Sequence, residues 1–174
     1  MTTLESGQTA IVTHPTWRFM LRHPAHILAQ GFGSGLSPIM PGTSGTLFGW
    51  LSFHIFSTRW PEIFTTTNWA IIILLGFIVG IWACQVTGKN MGVADHGSMV
   101  WDEIIAMWLV LLFITPASWQ TQLWAFIIFR FFDMAKPPPI GYFDRRFKGG
   151  FGVMWDDIVA AFFCLLSFAL WRAL

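Results

Sequence analysis

Two acid pairs, Asp102-Glu103 and Asp156-Asp157, stand beside long apolar runs in a chain that is 55% apolar and only 11% charged. Seven of its nine acidic residues fall between positions 95 and 157: Asp95, Asp102, Glu103, Asp133, Asp144, Asp156 and Asp157. Carboxylates gathered in apolar surroundings repel one another and resist ionisation unless a cation sits among them. An all-oxygen donor set suits a hard divalent cation. Mg2+ is the foremost, because it retains waters and commonly shares its shell with a substrate phosphate. Positive side chains accompany the acids. In "FRFFDMAKPPPIGYFDRR", Arg130 precedes Asp133 by three residues, on one helical face, and Lys136 follows before a proline run that must end the helix. Arg130, lying within an apolar segment, needs a carboxylate partner, and Asp133 is the obvious one. Lys136 and an arginine so placed could hold phosphate oxygens.

Helix capping competes with this reading, because acids in a first turn meet the positive end of the helix. It would account for Asp102-Glu103 and Asp156-Asp157, each expected to open a helix. It does not account for Asp133, which closes one. Asp144, beside Arg145 and Arg146, reads as their solvated partner. A further stretch, "GFGSGLSPIMPGTSGTLFGW", lacks the lysine of a Walker loop and has no preceding strand. Its Gly42, Thr43, Gly45 and Thr46 nevertheless lead into an apolar helix, where backbone N–H groups and hydroxyls suit a phosphate; a plain turn is the alternative. His96, in "ADHGSMVWDE", is a candidate proton carrier or substrate contact, against the simpler reading of an uninvolved loop histidine. Ser44 and Ser98 lack a nucleophile-elbow context. Cys84 and Cys164 lie in apolar segments with no metal-ligand spacing and read as packing residues.

The elements that must position these residues are membrane helices. Mean hydropathy is +0.59, with 11 Trp and 18 Phe. Apolar segments occur at about 45–58, 69–86, 104–114, 120–132 and 157–171. Only the second approaches the ~20 residues of a lone span, so the others must recruit their polar flanks to cross. Backbone polar groups in lipid must be satisfied internally, which leaves helices. The expectation is an all-α integral membrane bundle of about five hydrophobic helices in a single domain, 1–174. An N-terminal interfacial segment, 1–27, carries Arg18, Arg22 and His23 among Trp17, Phe19 and Leu21. No signal peptide is expected. With the N-terminus cytoplasmic, eight of the ten Lys and Arg residues fall inside and only Arg59 and Arg172 outside, which favours N-in, C-out. All seven acids then share one membrane face. A net charge of +1 gives no footprint for nucleic acid.

The stretches "GFGSGLSPIMPGTSGTLFGW", "MGVADHGSMVWDEIIAMW" and "FRFFDMAKPPPIGYFDRRFKGGFGVMWDDIVAA" together resemble the bacterial phosphatidylglycerophosphatase A family over about residues 28–165. The resemblance implies a Mg2+-dependent lipid phosphatase of the inner membrane, its active site on the cytoplasmic face, converting phosphatidylglycerophosphate to phosphatidylglycerol and phosphate. Its motif positions are Asp95, Asp102 and Glu103, then Asp133 and Lys136, then Asp156 and Asp157, with Arg130 and the 41–45 loop also matching. The chain departs from the pattern at Ala135 and Pro138, where Trp is favoured, and at Ala106 and Ala161, where Gly is favoured. On this reading Asp102, Glu103, Asp133, Asp156 and Asp157 hold metal. Asp95 is a candidate to activate water, Arg130, Lys136 and the Gly-Thr stretch steady the phosphate, and direct water attack and an aspartyl-phosphate both stay open. The expected partners are the phospholipid substrate and the bilayer. The alternatives are a cation transporter or channel, whose acids should lie near mid-membrane, and a lipid phosphatase with another substrate.

Overall fold

The computed structural model describes residues 15–138 and 140–173, with the side chains of 143–145 outside that description. The proposed pairing of Asp144 with Arg145, and the interfacial segment before residue 15, therefore lie outside the described residues. The chain is all-helical: α1 (Trp17–Met20), α2 (Pro24–Ala29), a 3-10 segment (Gly31–Leu36), α3 (Pro41–Arg59), α4 (Thr66–Met91), α5 (Trp101–Ile114), α6 (Trp119–Ala135), α7 (Ile140–Arg146) and α8 (Gly149–Ala173). The five long helices are the five apolar segments with their flanks added. Two of them, α4 and α8, are long and apolar enough to cross a membrane.

Local chemistry sets the boundaries. Thr65 caps α4 by accepting from the Asn68 N–H, and Gly92, at φ +75°, ends it in the left-handed region. Ser118 caps α6 by accepting from the Thr121 N–H. The proline run stops α6, as expected, but α7 follows directly after it and was not anticipated. The N-terminal piece is two short helices rather than one. His23 interrupts it by capping α2, its Nδ1 accepting from the Ala25 N–H at 3.1 Å. His26 then docks α2 onto α4. Its ring bonds the Phe19 carbonyl at 3.0 Å and the Asn90 amide at 2.9 Å, and it stacks on Phe19.

Helix α5 is the axis of the bundle. It has fourteen residues, eleven of them buried, and packs against α3, α4, α6 and α8. At about 21 Å it is shorter than the ~30 Å hydrocarbon layer, and its first turn, residues 101–104, is buried inside the bundle. The opposite end is closed by aromatic rings, with Phe53 stacked on Trp69 and Trp69 against Trp108. Trp69 and Trp108 keep their buried N–H groups satisfied: Trp69 donates to Ser57 Oγ at 2.9 Å and Trp108 to the Gly49 carbonyl at 2.9 Å. The outer surface is apolar. On α4, Ile71, Leu74, Leu75, Ile78, Val79 and Trp82 form one exposed stripe, the face a membrane helix turns to lipid.

One expectation is corrected. Asp156 and Asp157 do not open α8, which begins at Gly149, seven residues earlier. Gly150 and Gly152, which precede the pair, sit where neighbouring backbone approaches the helix closely. A Cβ on Gly150 would collide with the Ile81 carbonyl, and one on Gly152 with the Phe147 carbonyl. Gly150 also donates its N–H to Gln85 Oε1 at 2.9 Å. These glycines bring α8 against its neighbours, so capping no longer explains the acid pair.

Candidate active site

The site is assembled at one end of the bundle, where α3, α5 and α8 begin and α6 ends. Asp102 and Glu103 occupy the first turn of α5. Asp157 comes from the inner face of α8. One oxygen from each of these three residues lies within 4.8 Å of the others, and each residue is at most 9% exposed. The remaining acids flank this centre with partners of opposite charge. Arg130, one turn before the end of α6, binds Asp133 on its own helix, approaches Glu103 Oε1 at 3.7 Å and donates to Thr46 Oγ1 at 3.3 Å. Lys136 reaches Asp156 Oδ2 at 2.5 Å. It does so from the C-cap of α6 in a left-handed conformation, φ +41°, that a non-glycine residue adopts only at a cost of about 1–3 kcal/mol.

Most of the anticipated site residues converge. A cleft of about 360 Å3 is lined by Gly42, Asp95, Asp102, Glu103, Arg130, Asp133, Lys136, Asp156 and Asp157. Gly42 is glycine for a visible reason, since a Cβ there would lie 2.5 Å from Glu103 Oε1 and 3.0 Å from Arg130 Nη2. Pro41 to Thr46 form the first turns of α3 rather than a loop. Met40 caps that helix with no side-chain hydrogen bond, leaving the first N–H groups without helical partners beside the cleft. Four anticipated residues stand back from it. Gly45 packs on Val100, and Thr46 donates to the Gly42 carbonyl at 2.9 Å while receiving Arg130. Thr43 Oγ1 is buried with no hydrogen-bond partner. His96 lines a neighbouring cleft of about 350 Å3, its Nδ1 accepting from the Ser98 N–H at 3.1 Å. Met40, Gly97, Met99 and Met134 line the main cleft without having been anticipated. For Met134 a signal was present, because it follows Arg130 by four residues and so shares its helical face.

The chemistry of the donor set fits a metal ion. Asp102 Oδ1, Glu103 Oε2 and Asp157 Oδ2 are buried with no hydrogen-bond partner, an arrangement that costs free energy unless a cation completes it. Six carboxylates face Arg130 and Lys136, which leaves a formal surplus of four negative charges among the described residues of the cleft. The acidic group Asp102, Glu103 and Asp157 could hold a metal ion. Cys84 and Cys164 are fully buried and do not line the cleft. Of the departures noted in the sequence, Ala106 and Ala161 are fully buried in the core while Ala135 and Pro138 face outward.

The family model described as Phosphatidylglycerophosphatase A matches residues 27–172. A Phosphatidylglycerophosphatase A of Escherichia coli is 47% identical over 82% of this chain and 80% of its own length. One of Haemophilus influenzae is 45% identical over 88% of this chain and 91% of its own. A Bacteroides thetaiotaomicron relative, provisionally named a phosphatidylinositol-3-phosphatase, is 35% identical over 83% of this chain and 92% of its own. No solved structure matches. With a helical membrane fold, a buried acidic centre, and this similarity along nearly the whole chain, the protein belongs to the phosphatidylglycerophosphatase A family.

Proposed function

We propose that this single membrane-embedded unit is a phosphoric monoester hydrolase that converts phosphatidylglycerophosphate to phosphatidylglycerol and inorganic phosphate, using Mg2+ at the cleft end of the bundle. The observation that carries the reading is the buried group Asp102, Glu103 and Asp157 beside Arg130 and Lys136. Such a site brings negative donors for a hard cation and positive groups for phosphate oxygens within one cleft. The two relatives named for this reaction supply the substrate. The cytoplasmic face of a bacterial inner membrane is supported by the clustering of eight of ten Lys and Arg residues toward the cleft end.

In this mechanism Asp102, Glu103 and Asp157 would hold the cation, with Asp133 and Asp156 completing the acidic wall. Bound there, Mg2+ would neutralise phosphate charge and lower the pKa of a coordinated water. Arg130, fixed by Asp133 and Thr46, presents its remaining N–H groups toward the phosphate. Lys136 and the unpartnered N–H groups of Gly42 and Thr43 contribute further positive potential. Asp95, exposed on the cleft wall, accepts the proton of the attacking water. The bond from phosphorus to the water oxygen forms as the bond to the glycerol oxygen breaks. The leaving oxygen then takes up a proton and departs as the hydroxyl of phosphatidylglycerol.

Purified protein in lipid nanodiscs, given phosphatidylglycerophosphate, phosphatidylinositol 3-phosphate and phosphatidic acid side by side, tests the assignment. Fastest phosphate release from phosphatidylglycerophosphate is expected. Faster release from either other lipid, or no release from any, would refute it.

A further inference from the structure

The cleft described above must admit a lipid whose acyl chains stay in the bilayer, and its walls differ in how they could allow this. Helix α4, despite its apolar outer stripe, contributes no lining residue among those described. The α6–α8 side is filled by Phe132 against Phe163, and α8 is covered near its start by α7. Between α3 and α6 the wall is different. Of the large apolar residues lining the cleft, Met40 and Met134 are the exposed ones, at 52% and 62%, whereas Met99 is 2% exposed.

Helical geometry places these two methionines on either side of a seam. Arg130 faces α3, where it meets Thr46 and the Gly42 backbone. Met134 lies one turn beyond Arg130 on the same face. Met40 directly precedes α3. Away from the cleft, α3 and α6 stay together through Trp50, whose indole donates to Gln122 Oε1 at 2.8 Å and packs on Phe126. Just outside those inward contacts run Leu47 and Leu51 on α3 and Leu123 and Ile127 on α6, each exposed by between 43% and 46%. A continuous apolar track therefore leads from the bilayer to the mouth of the cleft. Its gateposts are flexible thioethers, which adapt to variable apolar shapes.

We infer that the lipid substrate enters the cleft sideways between Met40 and Met134, with its acyl chains lying along the α3–α6 seam over Leu47, Leu51, Leu123 and Ile127. This inference rests on the lipid phosphatase reading of the cleft. The terminal phosphate reaches the acids while the chains never leave the hydrocarbon layer, so head-group selection and chain accommodation are separate tasks of one path.

The test uses the full chain in nanodiscs. One probe is phosphatidylglycerophosphate with a diazirine in mid-chain, and the other is phosphatidylglycerol carrying the same diazirine. Each is irradiated before a tenth of the phosphate ester is hydrolysed, and the labelled residues are located by mass spectrometry. The expected result is at least threefold enrichment of label on 47–51 and 123–127 over the α4 stripe at Leu74 and Ile78 with the phosphate ester, and no enrichment with phosphatidylglycerol. In Met134→Trp, which narrows the mouth, the enrichment should fall. Equal labelling of the seam and the α4 stripe by the phosphate ester overturns the inference. Phosphate release is recorded on the same samples. Uniform labelling with release overturns the lateral path and leaves the phosphatase reading standing, whereas focused labelling without release upholds the path and counts against that reading.

Discussion

Asp157 and Gly42 carry the most direct expectations at the scale of single residues. Asp157→Asn keeps the shape of the side chain and removes one anionic donor from the buried triad. Phosphate release should fall by about 10²–10³-fold, equivalent to several kcal/mol of lost transition-state stabilisation. The folded protein should be no less stable, because a buried like-charge repulsion is relieved. Gly42→Ala acts by position alone, since the added methyl meets Glu103 Oε1 and Arg130 Nη2. Displacing those groups by a few tenths of an ångström to 1 Å should cost up to about 10²-fold in turnover, with little change in the melting temperature. The sequence made the acids, Arg130 and Lys136 legible because charge in an apolar segment needs a partner or a function. It did not reveal that Gly45 and Thr46 serve packing and the support of Arg130 in this fold, since a glycine against a neighbouring helix and a glycine beside a ligand read alike.

Helices translate those residue roles into position. Gly150 lets α8 lie against α4, and Gly150→Leu should push the two apart at the Ile81 carbonyl. Overpacking of this kind costs about 1–3 kcal/mol, so thermal unfolding followed by tryptophan fluorescence should shift down by roughly 2–10 °C. Helix α2 supplies a pH-dependent contact. Burial is the main reason the His26 imidazole titrates below its ordinary 6.5, assisted by His23 and Arg22 and opposed by the Phe19 carbonyl. The folded state therefore resists protonation that the undocked segment accepts, so docking loses stability as pH falls below about 6.5 and is unaffected well above it. Amide exchange in residues 24–29 should accelerate between pH 7 and pH 5, and should be insensitive to pH, after correction for the intrinsic rate, between 7 and 8. The five long helices were readable from their apolar runs. Their ends were not, because Gly149 to Met154 and Pro41 to Thr46 look like loops by composition, although in the fold they are helical and lie against α4, α5 and the 133–147 region.

At the scale of the molecule, the alternation of five helices brings both acid pairs and Asp133 to one end, as the Lys and Arg distribution anticipated. That placement favours surface chemistry on a head group over a cation pathway, which needs acids near mid-membrane. Helix α5 is short, a weakness when segments are judged singly, and its first turn is enclosed by its neighbours, which is what buries Asp102 and Glu103. Tertiary burial of this kind is invisible to a count of apolar residues. The central claim is that Asp102, Glu103 and Asp157 hold the cation on which hydrolysis depends. Its most direct test is phosphate release from phosphatidylglycerophosphate as a function of free Mg2+, in the wild type and in Asp102→Asn, Glu103→Gln and Asp157→Asn. The account predicts saturable activation abolished by EDTA in the wild type, and in each variant a Mg2+ requirement raised by about tenfold or more alongside lower turnover. Unchanged release in EDTA, or variants with the wild-type Mg2+ dependence and rate, would contradict it.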